Sequence, residues 1–282
     1  MVTSRVGHIT AIVDLETQDG KRERAHGKSR SSEAHGLLYF PVLDADRSPS
    51  RVRRLVNRFA DLHPAIVFVL VMLAGLLVIA PLSIGLGFFV TRVVEHVWGI
   101  GAADERVNGW LAAHRTSSRT DASLIGSIMA GGVVLPIVAG MVTLVAAALR
   151  CWRVAAFAMF SLAVESATYR ATTLVVHSHR PTVARLEHLP VDASYPSGHT
   201  AAAIAVYGGL VLLLTSRVTN AAVRVSAWTI AVAVVAFVAT ARMYRGMHHP
   251  LDVLGGIVVG IAALVVVTFA CRTAAASTEA RR

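Results

Sequence analysis

The sequence predicts an all-α membrane protein, a bundle of six membrane-spanning helices that follows a disordered, basic N-terminal tail. Hydrophobic residues make up 55% of the 282 residues and charged residues only 16%, whereas charged residues reach roughly 25% in an ordinary soluble domain. The apolar residues are also gathered into long runs, and a helix of about 18 or more apolar residues is long enough to cross a bilayer. These two observations predict a polytopic membrane protein rather than a soluble domain.

Six apolar runs predict a membrane domain over residues 63–272. The runs lie at about 65–90, 122–149, 153–177, 199–216, 222–241 and 252–271. Pro81 falls inside the first run, where the missing backbone donor of proline predicts a kink. Between the first two runs, Val107, Trp110 and Leu111 share one helical face. That pattern suits a short helix lying in the membrane interface, with an ordinary loop as the alternative.

The remaining residues form two predicted tails. Residues 1–62 are polar and charged, in stretches such as GKRERAHGKSRSSEAHG. Such stretches could not bury enough surface to offset the entropy of the chain, so this tail is predicted to be largely disordered. Its last part is a basic segment next to the membrane. Residues 273–282 are predicted to form a short C-terminal tail.

Six spans place both termini on the same side of the membrane, and the positive-inside rule predicts which side this is. The tails and the two turns on their side carry more than twice as many Lys and Arg residues as the loops on the other side. The termini are therefore predicted to be cytoplasmic. Residues 178–198 and 242–251 then form two outward-facing loops, which can meet although they are distant in sequence.

The net charge of +10 is explained by this topology. A nucleic-acid partner is not indicated, because no basic helix face, aromatic platform or zinc-ligand spacing accompanies the charge. The two cysteines of the sequence, Cys151 and Cys271, lie at the edges of apolar runs. The sequence therefore indicates neither a disulfide framework nor a cysteine metal site.

The two outward-facing loops hold three short motifs. In chain order these are Arg180-Pro181, then Pro196-Ser197-Gly198-His199, then Arg242, His248 and Asp252 in the spacing R-x5-H-x3-D. This pattern resembles the signature of the type 2 phosphatidic acid phosphatase (PAP2) superfamily, K-x6-R-P, P-S-G-H and S-R-x5-H-x3-D. Two positions depart from it, since Thr173 stands where the lysine belongs and Ala241 where the leading serine belongs. The six-span layout is also similar to that of membrane-bound bacterial members.

The residue types suit phosphate chemistry in their own right. A guanidinium binds phosphate oxygens bidentately and stays charged at any relevant pH, which suits Arg180 and Arg242, although a lone arginine at the edge of a span is often a topology marker. Ser197 and Gly198 precede the fourth span. There the backbone N–H groups of a helix N-terminus can bind an anion, with a plain helix cap as the alternative.

His248 and Asp252 suit a nucleophile and its orienting carboxylate. A carboxylate that accepts one ring N–H leaves the other ring nitrogen free to attack phosphorus. By resemblance, His248 forms a phosphohistidine, while His199 protonates the leaving oxygen and then activates the hydrolytic water. A role for Asp252 as a simple helix cap is the alternative.

The resemblance implies an integral membrane phosphatase that hydrolyses a lipid phosphate or diphosphate at the outer face of the bacterial cytoplasmic membrane, without a metal or another cofactor. Among substrates we favour polyprenyl diphosphate, since this is a frequent role of small bacterial members. Phosphatidic acid and phosphatidylglycerol phosphate are the alternatives. The motif residues would contact only phosphate, so they do not choose among these lipids.

Two other kinds of protein stay open. A cluster of outward-facing histidines could bind a divalent metal ion, and these histidines are His177, His179, His199, His248 and His249. A transporter or channel would explain Glu165 and Arg170 inside the third span, because charged residues within a membrane usually mark function. Transport alone does not explain the three motifs.

The replacement of the motif lysine by Thr173 leaves the predicted site short of one cation, because no lysine follows Lys28. Arg170 is the only basic candidate within the third span to replace this lysine. It lies three residues earlier, about 4.5 Å deeper in the helix, and helical side chains lean toward the N-terminus, away from the outer site. We therefore expect an enzyme that binds phosphate less tightly, or a lipid-phosphate binding or transport protein that has lost catalysis.

Overall fold

The computed structural model describes residues 39–45, 62–188 and 192–281. Most of the disordered tail predicted for residues 1–62 therefore lies outside the described residues. Within the described ranges all of the regular secondary structure is helical, which confirms the predicted fold class.

The described residues contain eight long helices. Their bounds are Pro64–Phe88 (α1), Gly101–Ala113 (α2), Ser117–Met129 (α3), Val134–Ala148 (α4), Trp152–Val175 (α5), Gly198–Thr215 (α6), Ala221–Tyr244 (α7) and Pro250–Ala280 (α8). α1 runs through Pro81 and continues as a π-helical stretch, Phe89–Val97. α6 contains a shorter π-helical stretch, Ile204–Gly208. A 3-10 turn at Pro41–Leu43 precedes α1.

Five segments within the described residues are long and apolar enough to cross a membrane, against six predicted spans. They are Pro64–Glu95, Ser117–Ala148, Gly198–Thr215, Ala221–Tyr244 and Pro250–Ala280. The third predicted span is α5, which has 24 residues and so a length of about 36 Å at 1.5 Å per residue. α5 is long enough to cross, but Glu165 and Arg170 lower its apolar character.

α8 is the central helix of the bundle and packs against α1, α5 and α6. Glycines let α6 approach it closely. A Cβ atom on Gly256 would lie 2.4 Å from the carbonyl oxygen of Ser197, and one on Gly260 would lie 2.7 Å from that of Ala201. Small residues are typical of helix contacts inside membranes because they let backbones come together. This packing holds the N-terminus of α6, with the P-S-G-H motif, against the first turns of α8.

α2 lies between the first two spans, where the sequence predicted an interfacial helix or a loop. A helix forms over Gly101–Ala113, so the segment is not an ordinary loop, and its place in the membrane interface stays a prediction. Val107 and Trp110 are exposed, whereas Asn108 is fully buried. The helix therefore presents apolar side chains outward and contacts the bundle through polar side chains.

Parts of both predicted tails are packed in the structure. α8 continues to Ala280, so most of the tail predicted at 273–282 is helical. At the other end, Val42 joins the hydrophobic core, and its carbonyl oxygen accepts a hydrogen bond of 2.8 Å from Nε of Arg272. The N-terminal segment is polar on average, and this average does not reveal the short apolar stretch around Val42.

Candidate active site

The two loops that hold the motifs meet, as the sequence predicted. The guanidinium of Arg180 joins them, since Nη2 donates to the carbonyl oxygen of Ala193 at 2.9 Å and Nη1 donates to that of Met247. The backbone N–H of Leu186 also donates to the carbonyl oxygen of Arg245 at 3.0 Å. Arg180, predicted to bind phosphate, thus uses part of its donor capacity to fasten one loop to the other.

His248 belongs to the second of these loops and is buried, with 2% of its surface exposed. Its Nδ1 atom lies 2.8 Å from the carbonyl oxygen of Ser194 and 3.7 Å from Oδ2 of Asp252. A carbonyl oxygen can only accept, so Nδ1 carries the proton and Nε2 keeps its lone pair. Burial lowers the pKa of His248, and the ring is therefore neutral and nucleophilic near pH 7.

The expected hydrogen bond from His248 to Asp252 is wrong in detail. Oδ2 of Asp252 instead accepts a hydrogen bond of 2.6 Å from Oγ of Ser194 and one of 2.8 Å from the backbone N–H of His249. The second hydrogen bond belongs to the capping box of α8, in which the side chain of Asp252 accepts from the backbone N–H of the N-cap residue His249. Ser194 therefore links Asp252 to His248, in addition to the direct approach of Oδ2 to Nδ1, and no motif in the sequence marks Ser194.

The P-S-G-H motif lies at the start of α6, with Ser197 as its N-cap residue. The backbone N–H of Ser197 donates to the carbonyl oxygen of Asp252 at 2.9 Å. It is therefore not available to phosphate, contrary to the expectation from sequence. The N–H groups of the next residues have no acceptor within the helix, as in the first turn of any helix. His199 is half-buried there, within electrostatic range of Arg242 and His248.

Arg242 is fully buried at the end of α7. Its Nη1 atom donates to Oγ of Ser127 at 2.5 Å and to Oε2 of Glu187 at 2.7 Å. Nε and Nη2 are buried and donate to no acceptor among the described residues. This pair of N–H groups forms one edge of the guanidinium, which matches two oxygens of a phosphoryl group.

α2 contacts the loop between α7 and α8 through polar side chains. Nδ2 of Asn108 donates to the carbonyl oxygen of His248 at 2.9 Å. Oε1 of Glu105 lies 3.2 Å from Nε2 of His249, and Glu105 also accepts from the backbone N–H of Thr182 at 3.2 Å. These polar side chains tie both motif loops to one helix. Their sequence showed an amphipathic pattern but no motif that marked them as part of a site.

α5 contributes a tyrosine to the site in addition to the two residues considered from sequence. The ring of Tyr169 lies over Gly198, where an added Cβ atom would come within 3.0 Å of it, and Tyr169 is in electrostatic range of Arg180. Thr173 is half-buried and donates to the carbonyl oxygen of Arg170 at 3.2 Å, while Arg170 itself is exposed. The face of α5 toward the site therefore carries hydroxyl groups and no cation.

Metal ligation was an alternative for the outer histidines. Across residues 39–45, 62–188 and 192–281, no group of three or more His, Cys, Asp or Glu side chains is arranged to hold a metal ion. His179 pairs instead with Asp192 at 3.2 Å on the surface, and His249 pairs with carboxylates as described above.

Comparison with known proteins relates part of the chain to a family. The model of the PAP2 superfamily matches residues 154–275, which include all three motifs from Arg180 to Asp252. This region is similar to the PAP2 superfamily. The resemblance noted from the motifs is thereby confirmed.

Two relatives extend this result. An undecaprenyl-diphosphatase from Sulfolobus acidocaldarius is 40% identical over 75 residues, which is 27% of this chain and 32% of that protein. The match thus spans about a third of the relative. The crystal structure of a transmembrane PAP2-type phosphatidylglycerolphosphate phosphatase from Bacillus subtilis has a TM-score of 0.56 at 21% identity. It covers 66% of this chain and 93% of its own, and it shows a shared fold.

The His249 contacts predict a pH dependence of stability. Burial alone would lower the pKa of His249, but the carboxylates of Asp252 and Glu105 outweigh it and raise the pKa to about 9. A histidine that binds its proton more tightly when folded stabilises the protein fully below its ordinary pKa of about 6.5 and loses this effect as pH rises through the folded value. The melting temperature of wild type in detergent should therefore exceed that of His249→Gln most at pH 6, and the difference should shrink by pH 9.

His179→Gln is the matched control, because His179 lies in the neighbouring motif loop and pairs with Asp192 on the surface. A constant difference between wild type and His249→Gln from pH 6 to pH 9.5 would show that the ring does not carry a charge in the folded protein.

Proposed function

We propose that the protein is an integral membrane phosphatase that removes a phosphoryl group from a lipid phosphate or diphosphate through a phosphohistidine at His248. The observation that carries the proposal is the pairing of two features within the R-x5-H-x3-D motif. One is a buried, neutral histidine with a free Nε2 lone pair, and the other is a buried arginine edge with two N–H donors to spare.

The residues divide the reaction into two steps. In the first, the Nε2 lone pair of His248 attacks phosphorus, the bond from phosphorus to the lipid oxygen breaks, and His199 donates a proton to that oxygen. In the second, His199 takes a proton from a water that attacks phosphorus, and the bond between phosphorus and Nε2 breaks to release phosphate. Arg242 and Arg180 hold the negative oxygens, assisted by the N–H groups that follow Ser197.

We favour a polyprenyl diphosphate as substrate. The relative with the higher identity carries the name undecaprenyl-diphosphatase, which supports a polyprenyl chain. The relative in the solved structure is a phosphatidylglycerolphosphate phosphatase, so that lipid and phosphatidic acid remain the alternatives. Purified protein assayed on a panel of these lipids distinguishes them by the ratio of kcat/KM values. We also propose that no metal or cofactor takes part, in which case EDTA leaves the rates unchanged.

A second candidate function is a lipid-phosphate binding or transport protein with little catalysis. The observation that favours it is the uncharged face of α5, where Thr173 stands at the position of the motif lysine. The match of His199, His248 and Asp252 to the P-S-G-H and R-x5-H-x3-D motifs is the argument for hydrolysis.

Replacement of the nucleophile tests the proposed mechanism. His248→Ala should reduce phosphate release at least about 100-fold, because no other group can form the covalent intermediate. Labelling with a radioactive lipid phosphate and quenching in alkaline detergent should trap an acid-labile phosphoenzyme in wild type only. His179→Ala serves as the control, because His179 is an exposed histidine of the other motif loop. Residual activity of His248→Ala above one tenth of wild type would rule out the phosphohistidine.

The proposal places the site at the outer face of the cytoplasmic membrane, with both termini inside, and cysteine labelling tests this. In a Cys151→Ala/Cys271→Ala background, an impermeant maleimide added to intact cells should label His179→Cys, whose side chain is 89% exposed near the site. Thr219→Cys, between α6 and α7, should be labelled only after permeabilisation. The reverse pattern would place the site in the cytoplasm.

The missing lysine tests the second candidate function. Thr173→Lys should lower KM several-fold with little change in kcat, since an added cation holds the phosphoryl group in the ground state and the transition state alike. Thr173→Met is the control for added length without charge. If wild type hydrolyses none of the lipids and Thr173→Lys creates the activity, the natural protein is a binding or transport protein.

A further inference from the structure

We propose that Glu187 is a positioning residue for Arg242, holding the far nitrogen of its guanidinium so that the Nε and Nη2 edge faces the phosphoryl group. This inference rests on the proposed function for its substrate and adds a residue that none of the three motifs contains. Glu187 lies in the loop between α5 and α6, seven residues after Arg180.

The contacts of Arg242 are all made at one end. Nη1 donates to Oε2 of Glu187 and to Oγ of Ser127, at 2.7 and 2.5 Å. With Nη1 occupied twice, the end-on edge formed by the two Nη atoms is no longer open to a bidentate ligand. The side edge formed by Nε and Nη2 is the remaining one, and neither of its atoms has an acceptor among the described residues.

Two buried donors without an acceptor carry a large desolvation cost, which a ligand with two oxygens at matching spacing would remove. A phosphoryl group has that geometry. The fully buried position of Arg242 means that its orientation is set by its protein partners rather than by solvent. The direction of the free edge therefore depends on what holds Nη1.

Glu187 is itself fixed from the other side. Oε1 accepts from Nε of Arg245 at 2.5 Å and from Oγ of Ser127 at 2.8 Å. Arg245 also donates to Oγ of Ser123 at 3.1 Å, one turn away from Ser127 on α3. Glu187 is thus the centre of a small network that links α3, the outer loop and the end of α7.

The charge of Glu187 argues for positioning and against proton transfer. Burial alone would raise its pKa, but the charge of Arg242 and hydrogen bonds from Arg242, Ser127 and Arg245 outweigh it and lower the pKa to about 2. The group is therefore a carboxylate throughout the working pH range and has no proton to give. Because it contacts Nη1, it also leaves the Nε and Nη2 edge open to phosphate.

A purely structural role for Glu187 would be to fasten the loop, and the chain offers a control for this. Glu105 holds the same loop at Thr182 and contacts no arginine of the site in the described structure. Glu187→Gln and Glu105→Gln each remove one carboxylate charge from the loop contacts. Only the first should change the orientation of Arg242.

The experiment measures binding of inorganic phosphate to purified, detergent-solubilised protein from the rise of its melting temperature with phosphate concentration, so that turnover is not needed. Glu187→Gln should raise the Kd for phosphate about tenfold, a change within the range of coupled contacts, while Glu105→Gln leaves it within twofold. In the hydrolysis assay, Glu187→Gln should raise KM for the lipid. Glu187→Asp should restore part of the affinity.

A double-mutant cycle shows whether the effect passes through Arg242. In an Arg242→Ala background, Glu187→Gln should cause no further loss of phosphate affinity, and Arg242→Lys provides the same comparison if Arg242→Ala does not fold. Additive losses, equal effects of Glu187→Gln and Glu105→Gln, or no phosphate binding by wild type would each overturn the inference. Phosphate binding that depends on Glu187 in a protein that hydrolyses no lipid phosphate would leave the inference standing and remove the proposed function.

Discussion

The buried carboxylate of Asp252 connects the parts of the site that come from different regions of the chain. Its Oδ2 atom closes the N-terminal cap of α8 and holds Ser194, whose carbonyl oxygen fixes the proton on His248. Its own carbonyl oxygen receives the backbone N–H of Ser197 and so sets the start of α6. One residue therefore places His248, the proposed nucleophile, and the helix that carries His199. The burial of this carboxylate is compensated at Oδ2, which accepts two hydrogen bonds and lies 3.5 Å from Nδ1 of His249, whereas Oδ1 accepts none among the described residues.

This arrangement depends on close helix packing within the membrane domain. Lipid tails are as apolar as leucine side chains, so helices in a bilayer gain little from apolar burial and rely on close backbone contact and polar links. Gly256 and Gly260 supply the close backbone contact, because each lets a carbonyl oxygen at the start of α6 lie within van der Waals range of α8. The hydrogen bond from Thr172 to Ser83, at 2.7 Å, supplies a polar link between α5 and α1. The motif loops can then meet without carrying the stability of the bundle.

The sequence predicted the helical class, the places of the spans and the meeting of the two loops, because apolar runs and motif spacing are local signals. It did not predict Ser194, Glu187, Tyr169 or Asn108. Each of these acts through a contact with a residue more than 25 positions away, and no local pattern records such a contact. The direct hydrogen bond from His248 to Asp252 failed for a related reason, since the spacing i, i+4 places the side chains near each other but does not reveal that a helix cap competes for the carboxylate.

The effect of the residue at position 173 on phosphate binding depends on how many cationic donors the site has. Arg180 donates hydrogen bonds to two carbonyl oxygens, and Arg245 donates hydrogen bonds to Glu187 and Ser123. Arg242 is the cation whose free edge is preserved in the described structure. A lysine on α5 would share the charge of the phosphoryl group with it, and Thr173 cannot. Inorganic phosphate is also the product of the proposed reaction, so a site with one cation fewer holds both substrate and product less tightly. Weaker binding of substrate is then accompanied by faster release of phosphate, and a high KM can coexist with an undiminished kcat.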